Sequence, residues 1–231
     1  INDWTIPLKT WYVSEFQAQK IFETNEINEN LWSEIGVIQE FQKSFLKNTA
    51  DCDVIIIADF GHGFFSKDLL MFINKFKNKK KFINVQTNSA NLGFNFYNKY
   101  KHYNYLSIDE RELRLALSDN SGSLDNIIKV SLKNKKLMTP LSITLGKKGS
   151  MFIKSPTEKY FCPSYFRNVL DTTGAGDAYF ILSSLLYANG CPSMLIPFIS
   201  NLYAGLNTKH LANRDPISLI DLERALKGIM L

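Results

Sequence analysis

Five residues, Val54-Ile55-Ile56-Ile57-Ala58, form an unbroken run of mostly β-branched side chains. Such a run has no helical stripe and no strand-like alternation, so it reads as a strand covered on both faces of a parallel sheet. It stops at Asp59-Phe60-Gly61-His62-Gly63, a glycine-rich turn. Ser66 then caps a helix bearing Leu69, Leu70, Ile73 and Phe76. The alternation continues with strands at 82–85, 103–107 and 141–145, and with helices at 109–117 and about 124–132. Strand followed by helix, repeated, predicts an α/β domain with a largely parallel sheet flanked by helices.

The rest of the chain fits around that frame. Residues 6–23 read as a hairpin containing Trp11, Tyr12 and Phe16, and Leu31, Ile35, Ile38, Phe41 and Phe45 predict a helix over about 30–47. Met151–Lys154 and Lys159–Cys162 read as an edge hairpin. Beyond Gly174 the chain turns helical over 176–189, 193–207 and 218–229, and the first of these is apolar nearly all round, which predicts deep packing. At 231 residues, 1–231 is read as one domain with a single core. The chain begins at Ile1 and opens into strand-like sequence, so a fragment is expected.

Composition narrows the function classes. The net charge of +5 is spread out, and the run Lys77-Asn78-Lys79-Lys80-Lys81 reads as a solvated helix end, so no nucleic-acid partner is expected. No apolar run approaches the ~18 residues of a membrane span, and no membrane partner is expected. Cys52, Cys162 and Cys191 are odd in number and widely spaced, and His62, His102 and His210 lack metal-ligand spacing. The expectation is a reducing, cytoplasmic setting with no direct metal ligands.

The segment that carries chemistry is Asp171-Thr172-Thr173-Gly174-Ala175-Gly176-Asp177, set against the apolar helix. Small residues let backbone approach a ligand closely, and a helix start presents unpaired amides and a positive dipole end. The amides of Gly174, Ala175 and Gly176 then suit a terminal phosphoryl group, and Asp177 suits the proton of an attacking hydroxyl. The plain alternative is an Asp that only caps the helix. A dinucleotide-binding fingerprint is excluded, because it needs G-x-G-x-x-G after the first strand and Tyr179 stands in the third glycine position.

The DTTGAGD run resembles the signature of the PfkB carbohydrate kinases, which have the ribokinase-like fold. The resemblance implies that Asp177 is the catalytic base and that Gly174, Ala175 and Gly176 form the anion hole. Ile143 to Ser150 is similar to the family's strand and turn beside the nucleotide, which assigns Thr144, Gly146 and Gly149 to cofactor binding. Asn201-Leu202-Tyr203-Ala204-Gly205 resembles the helix lining the adenine pocket and adds Asn201. Asp53–Gly63 and the hairpin 8–22 resemble the heptose-phosphate kinase branch, where the hairpin is a sugar-side lid. Lys9, Asp59 and His62 are accordingly substrate candidates, although Asp59 can simply turn its loop and His62 can be an ordinary loop residue.

Departures are specific. The family's Asn-x-x-Glu appears as Asp109-Glu110-Arg111-Glu112, which is also a capping-box pattern. The resemblance gives Asp109 and Glu112 to the nucleotide side, Glu112 reaching magnesium through water. Gln86-Thr87-Asn88 stands where the branch has Asp-Pro-Lys, so Gln86 and Asn88 are read as substrate contacts of altered specificity, against an ordinary polar loop. The family's amino-terminal sugar motifs are not found, so amino-terminal strands are expected to be missing. What the resemblance implies is an ATP- and Mg2+-dependent kinase acting on a sugar or sugar-phosphate hydroxyl, in the branch's case a heptose phosphate. It further implies an upstream nucleotidyltransferase domain and a homodimer joined through the lid. The alternative is a non-catalytic nucleotide- or sugar-binding domain of the same fold.

Overall fold

The computed structural model describes residues 8–14, 19–26, 35–88, 91–166, 169–211 and 216–230. The chain is arranged as two compact units, Ile1–Tyr103 and Asn104–Leu231.

The first unit contains the expected hairpin, β1 (Leu8–Ser14) and β2 (Gln19–Glu26), antiparallel with Tyr12 opposite Phe22. Those two rings stack at 4.2 Å, an aromatic cross-strand pair of the kind that stabilises a two-stranded ribbon. Phe16 and Leu31, assigned from sequence to the hairpin and the next helix, lie outside the described residues. Helix α1 (Ile35–Asn48) is followed by β3 (Val54–Asp59), α2 (Lys67–Lys75) and β4 (Lys80–Val85). Strands β3 and β4 are parallel and in register from Val54 and Lys80 to Asp59 and Val85.

Two expectations need correction here. Ile55, Ile57 and Asp59 are buried while Ala58 is exposed, so β3 is covered mainly on one face. Lys81 is not a solvated cation: it is 3% exposed and its Nζ donates to Ile73 O at 2.7 Å. It does cap a carbonyl near the end of α2, where the helix dipole favours a cation. Phe41 and Phe45 of α1 meet Phe64, Phe72 and Phe76 edge-on at 5.1–5.5 Å, which is how these helices bury their apolar faces. Ser66 caps α2 as expected, its Oγ accepting from Leu69 N.

In the second unit β5 (Tyr105–Asp109) leads directly into α3 (Glu110–Leu117), then α4 (Leu124–Lys133) and β6 (Leu141–Thr144). Strands β5 and β6 are parallel, with Asp109 opposite Thr144. The hairpin β7 (Ser150–Ser155) and β8 (Glu158–Cys162) adds antiparallel strands, β7 pairing with β6. Helices α5 (Ala175–Ala188), α6 (Leu195–Asn207) and α7 (Leu219–Met230) complete the unit, with α5 packed on α6. Helix α5 buries Tyr179, Phe180, Ser183 and Ser184 but leaves Ile181 and Leu185 exposed. The expected all-round packing is therefore corrected to one buried side, since apolar composition alone does not say which face is covered. No helix among the described residues is long and apolar enough to cross a membrane.

Candidate active site

Helix α5 runs antiparallel to β5 and β6, and its side-chain contacts show this step by step. Tyr179 OH is 3.2 Å from Ser142 Oγ on β6, and four residues later Ser183 Oγ is 2.7 Å from Tyr105 OH on β5. Ser142 is level with Ser107, two residues above Tyr105. Four helical residues rise ~6 Å and two strand residues ~6.6 Å, so the two elements keep step. Asp177, two residues before Tyr179, thus lies at the level where β5 and β6 end in Asp109 and Thr144. Ligands bind at the carboxyl ends of strands in open α/β sheets.

The loop entering α5 is braced from both sides. Asp171 Oδ1 accepts from Thr173 N at 2.9 Å and from Thr173 Oγ1 at 2.8 Å, a side-chain-closed turn. Asn207 Nδ2 at the end of α6 donates to Thr173 O at 3.1 Å, and Thr208 O accepts from Leu170 N and Asp171 N. Nothing in the sequence pattern singled out Asn207 or Thr208, which simply end an apolar helix.

Gly174 has φ 74°, a left-handed position that favours glycine, and caps the helix. The N–H groups of Gly174 and Gly176 donate to no acceptor among the described residues, whereas Ala175 N donates to Thr172 O at 3.2 Å. Of the three expected anion-hole amides, then, Ala175 already closes a turn, and Gly176 lies exposed in the first turn, where any helix leaves amides without intrahelical partners. A Cβ on Gly176 would meet nothing within 4 Å, so packing within the chain does not explain that glycine. Asp177 is half-buried in the first turn of α5 and does not lie inside the packed core.

At the strand ends, Asp109 and Glu112 make the expected capping box. Asp109 Oδ1 accepts from Arg111 N at 2.8 Å, and Asp109 N donates to Glu112 Oε2 at 3.0 Å. Burial raises the Asp109 carboxyl above its ordinary range, with the Arg111 amide opposing the shift. Thr144 sits at the mouth of β6, and Gly146 takes φ 56° with open space around it. Gly149 is different: its φ is 112° and a Cβ there would run into Cys162 O, so the turn against β8 requires it. Asn201, expected beside the nucleotide, makes contacts within the chain. It is 9% exposed, and its Nδ2 donates to Cys162 O at 2.8 Å and Pro163 O at 3.3 Å, fixing the chain after β8.

In the first unit the carboxyl ends of β3 and β4 bring Asp59, His62, Gln86 and Asn88 into one cluster. Asp59 is 2% exposed and fully engaged there. Its Oδ1 accepts from Gly61 N at 3.0 Å and Asn95 Nδ2 at 3.3 Å, and its Oδ2 accepts from Tyr100 OH at 2.8 Å and pairs with Lys99 Nζ at 2.6 Å. The sugar-contact reading of Asp59 gives way to the turn-holding one. Burial, then the Asp59 charge, raises the Tyr100 pKa, so that phenol stays a donor.

Gln86 Nε2 donates to Asn84 Oδ1, and Asn88 Nδ2 to Phe60 O at 2.7 Å. Asn91 joins Asn88 reciprocally through backbone and side chain and also donates to Phe60 O. Gln86 and Asn88 thus brace the 59–63 loop, while Ser89 and Ala90 of the same run lie outside the described residues. Gly61, with φ 70°, is pressed so closely by Asn91 and Asn95 that a Cβ has no room. His62 Nδ1 is buried with no hydrogen-bond partner among the described residues. The polar contacts of Lys9 stay within the hairpin: its Nζ is 3.4 Å from Glu23 Oε1 and 5.8 Å from the Trp11 ring centroid.

Residues 22–187 match the family described as pfkB family carbohydrate kinase. Bifunctional protein HldE of Syntrophotalea carbinolica is 30% identical over 167 residues, which is 70% of this chain and 33% of that protein. The chain spans about a third of the length of the curated relatives it matches. Phosphofructokinase-2 of Escherichia coli in complex with substrates and products superposes with a TM-score of 0.71 at 12% identity, over 96% of this chain and 71% of that one. Arabidopsis thaliana ribokinase complexed with ribose and ATP gives 0.64 at 15% identity, over 89% and 65%. At these identities the structural likeness establishes the fold, which is ribokinase-like.

Proposed function

The chain belongs to the pfkB family of carbohydrate kinases, and from that premise we propose that it transfers the γ-phosphoryl group of ATP to a hydroxyl of a sugar or sugar phosphate. The observation that carries this reading is the start of α5, where the N–H groups of Gly174 and Gly176, without an acceptor among the described residues, stand beside the half-buried Asp177. In the proposed step the acceptor oxygen bonds to the γ-phosphorus as its proton passes to the Asp177 carboxylate. The bond from that phosphorus to the bridging oxygen breaks, and ADP leaves. The amides and the helix dipole stabilise charge on the transferring group. The Arabidopsis ribokinase carrying ATP supports the choice of donor.

Among the described residues no group of three or more His, Cys, Asp or Glu could hold a metal ion. A magnesium ion would therefore be held chiefly by nucleotide phosphate oxygens, with Glu112 near enough in role to meet it through water. It would neutralise phosphate charge. The resemblance to the heptose-phosphate kinase branch, with the HldE relatives, supports a heptose phosphate as acceptor. The relatives' greater length and the word bifunctional in their name support a second domain in the whole protein, a nucleotidyltransferase by the resemblance.

The test is a coupled ADP-release assay on the full-length protein with a panel of sugars and sugar phosphates. Asp177→Asn should slow turnover at least about 100-fold, the scale of losing a general base. An unchanged rate removes Asp177 from that role. Nucleotide binding by calorimetry with no ADP release across the panel would favour a binding domain instead.

A further inference from the structure

Four hydroxyls are buried between α5 and the strands beneath it. Tyr105 OH lies 2.8 Å from Ser142 Oγ and 2.7 Å from Ser183 Oγ, and Tyr179 OH lies 3.2 Å from Ser142 Oγ. Ser183 Oγ donates to Phe180 O at 3.1 Å. All four residues are at most 1% exposed. Each hydroxyl has one hydrogen to give, and one assignment that uses each once runs Tyr179 to Ser142, Ser142 to Tyr105, Tyr105 to Ser183 and Ser183 to the Phe180 carbonyl, with Ser107 also beside Tyr105 and Ser150 beside Tyr179. Burial raises both tyrosines, Tyr179 to about 12, so each remains a donor at neutral pH.

Apolar packing alone would set this helix poorly. Its residues are apolar on nearly every side, so several rotations about its axis would bury similar area. Hydrogen bonds between buried groups tolerate no such choice, because a turn of the helix would strand each hydroxyl without a partner. Two of the four belong to α5, and one of them stands two residues from Asp177. The Tyr105 ring also stacks on Tyr187 at 5.6 Å, which extends the hold further down the helix.

We propose that Tyr105 and Tyr179, through Ser142 and Ser183, are positioning residues that fix the rotation and height of α5 and so the aim of Asp177. This rests on the kinase reading of that carboxylate. A displacement near 1 Å at a reacting group can lower a rate 100-fold, so a partial loosening is expected to give about tenfold.

The experiment uses the full-length kinase with the best acceptor of the panel. Tyr179→Phe and Tyr105→Phe should each lower kcat about tenfold per folded molecule, while the KM for ATP and the calorimetric Kd for nucleotide change less than about twofold. In the Asp177→Asn background the same substitutions should cost nothing further, since there is no base left to aim. Ser183→Ala, which removes a link with little volume, gives the same test if a tyrosine variant does not accumulate folded. Unchanged kcat with lowered Tm, or a full tenfold loss on top of Asp177→Asn, overturns the inference while leaving the kinase reading intact. If Asp177→Asn itself keeps full rate, Asp177 is not the base and this inference falls with that role, while phosphoryl transfer itself stands; no ADP release from the wild type across the panel is the separate result that removes the kinase reading.

Discussion

Replacing Lys99 by Met should unfold the first unit's loop architecture more than any exposed-residue change, and the cost can be worked from the contacts. Lys99 Nζ is 2.6 Å from Asp59 Oδ2 and 2.5 Å from Asn95 Oδ1, and the Asp59 side chain is 2% exposed. At an effective dielectric of about 20, charges at that separation attract by about 6 kcal/mol. Much of this offsets the loss of water around the carboxylate. With the cation gone, Asp59 keeps only Gly61 N–H, the Asn95 amide and the Tyr100 hydroxyl as donors. An uncompensated buried charge of this kind costs about 3–5 kcal/mol, and the remaining donors place the expectation at about 3. Urea unfolding of the full chain, followed by circular dichroism, measures it. Adding Asp59→Asn to Lys99→Met should recover part of the loss, so the two changes are strongly non-additive. Raising the salt concentration should alter the wild-type value only modestly, because the Asp59 carboxylate is buried while Lys99 is 25% exposed. A loss below about 1 kcal/mol, or simple additivity of the two substitutions, refutes the claim that this pair holds the 59–63 loop.

Gly176→Ala separates stability from function. The added methyl meets nothing within 4 Å and alanine is the better helix former by about 1 kcal/mol, so urea stability should hold or rise while ADP release falls at least tenfold. Activity that survives the methyl would show that no ligand approaches there. Asp109→Asn tests the capping box by pH. The folded-state pKa of Asp109 is raised by burial, so the stability it contributes is present below the ordinary aspartate range and is lost as pH rises through the raised value. Asparagine caps equally well and carries no charge. The variant's Tm should exceed the wild type's at neutral pH, with the difference closing in acid. A Tm below the wild type's at pH 7 would show that the charge itself is needed.

The order of strands and helices was legible because hydrophobic periodicity is local. Ser66 and Asp109 were legible as caps for the same reason, since a cap and its partner lie within three residues. What was not legible depends on partners far apart in the chain. Tyr100 and Asp59 are separated by 41 residues, and Tyr105 and Ser183 by 78. Asn201 was named through the family resemblance alone, and its hydrogen bond to a carbonyl 39 residues away has no local signal in the sequence. The strand run at 54–58 and the helix at 176–189 share one failure. Each was apolar enough to be covered all round, and each is covered on one side, because composition reports what can be buried and not what arrives to bury it.

That distinction bears on the glycines as well. Gly61, Gly149 and Gly205 are each pressed by a neighbour in their own fold: Asn91, Cys162 O and the Phe166 ring. Gly176 is pressed by nothing, and its backbone N–H donates to nothing among the described residues. Gly36 and Gly228 are helical glycines with equally open Cβ positions, so it is that openness together with a first-turn N–H beside Asp177 that suits Gly176 to an outside partner. The same reasoning demotes Asp59, whose charge is answered within the chain. Among the described residues it leaves several buried side-chain atoms without a hydrogen-bond partner, His62 Nδ1 and the Oγ atoms of Ser184 and Ser200 among them, and the backbone N–H groups of Gly174 and Gly176 without an acceptor.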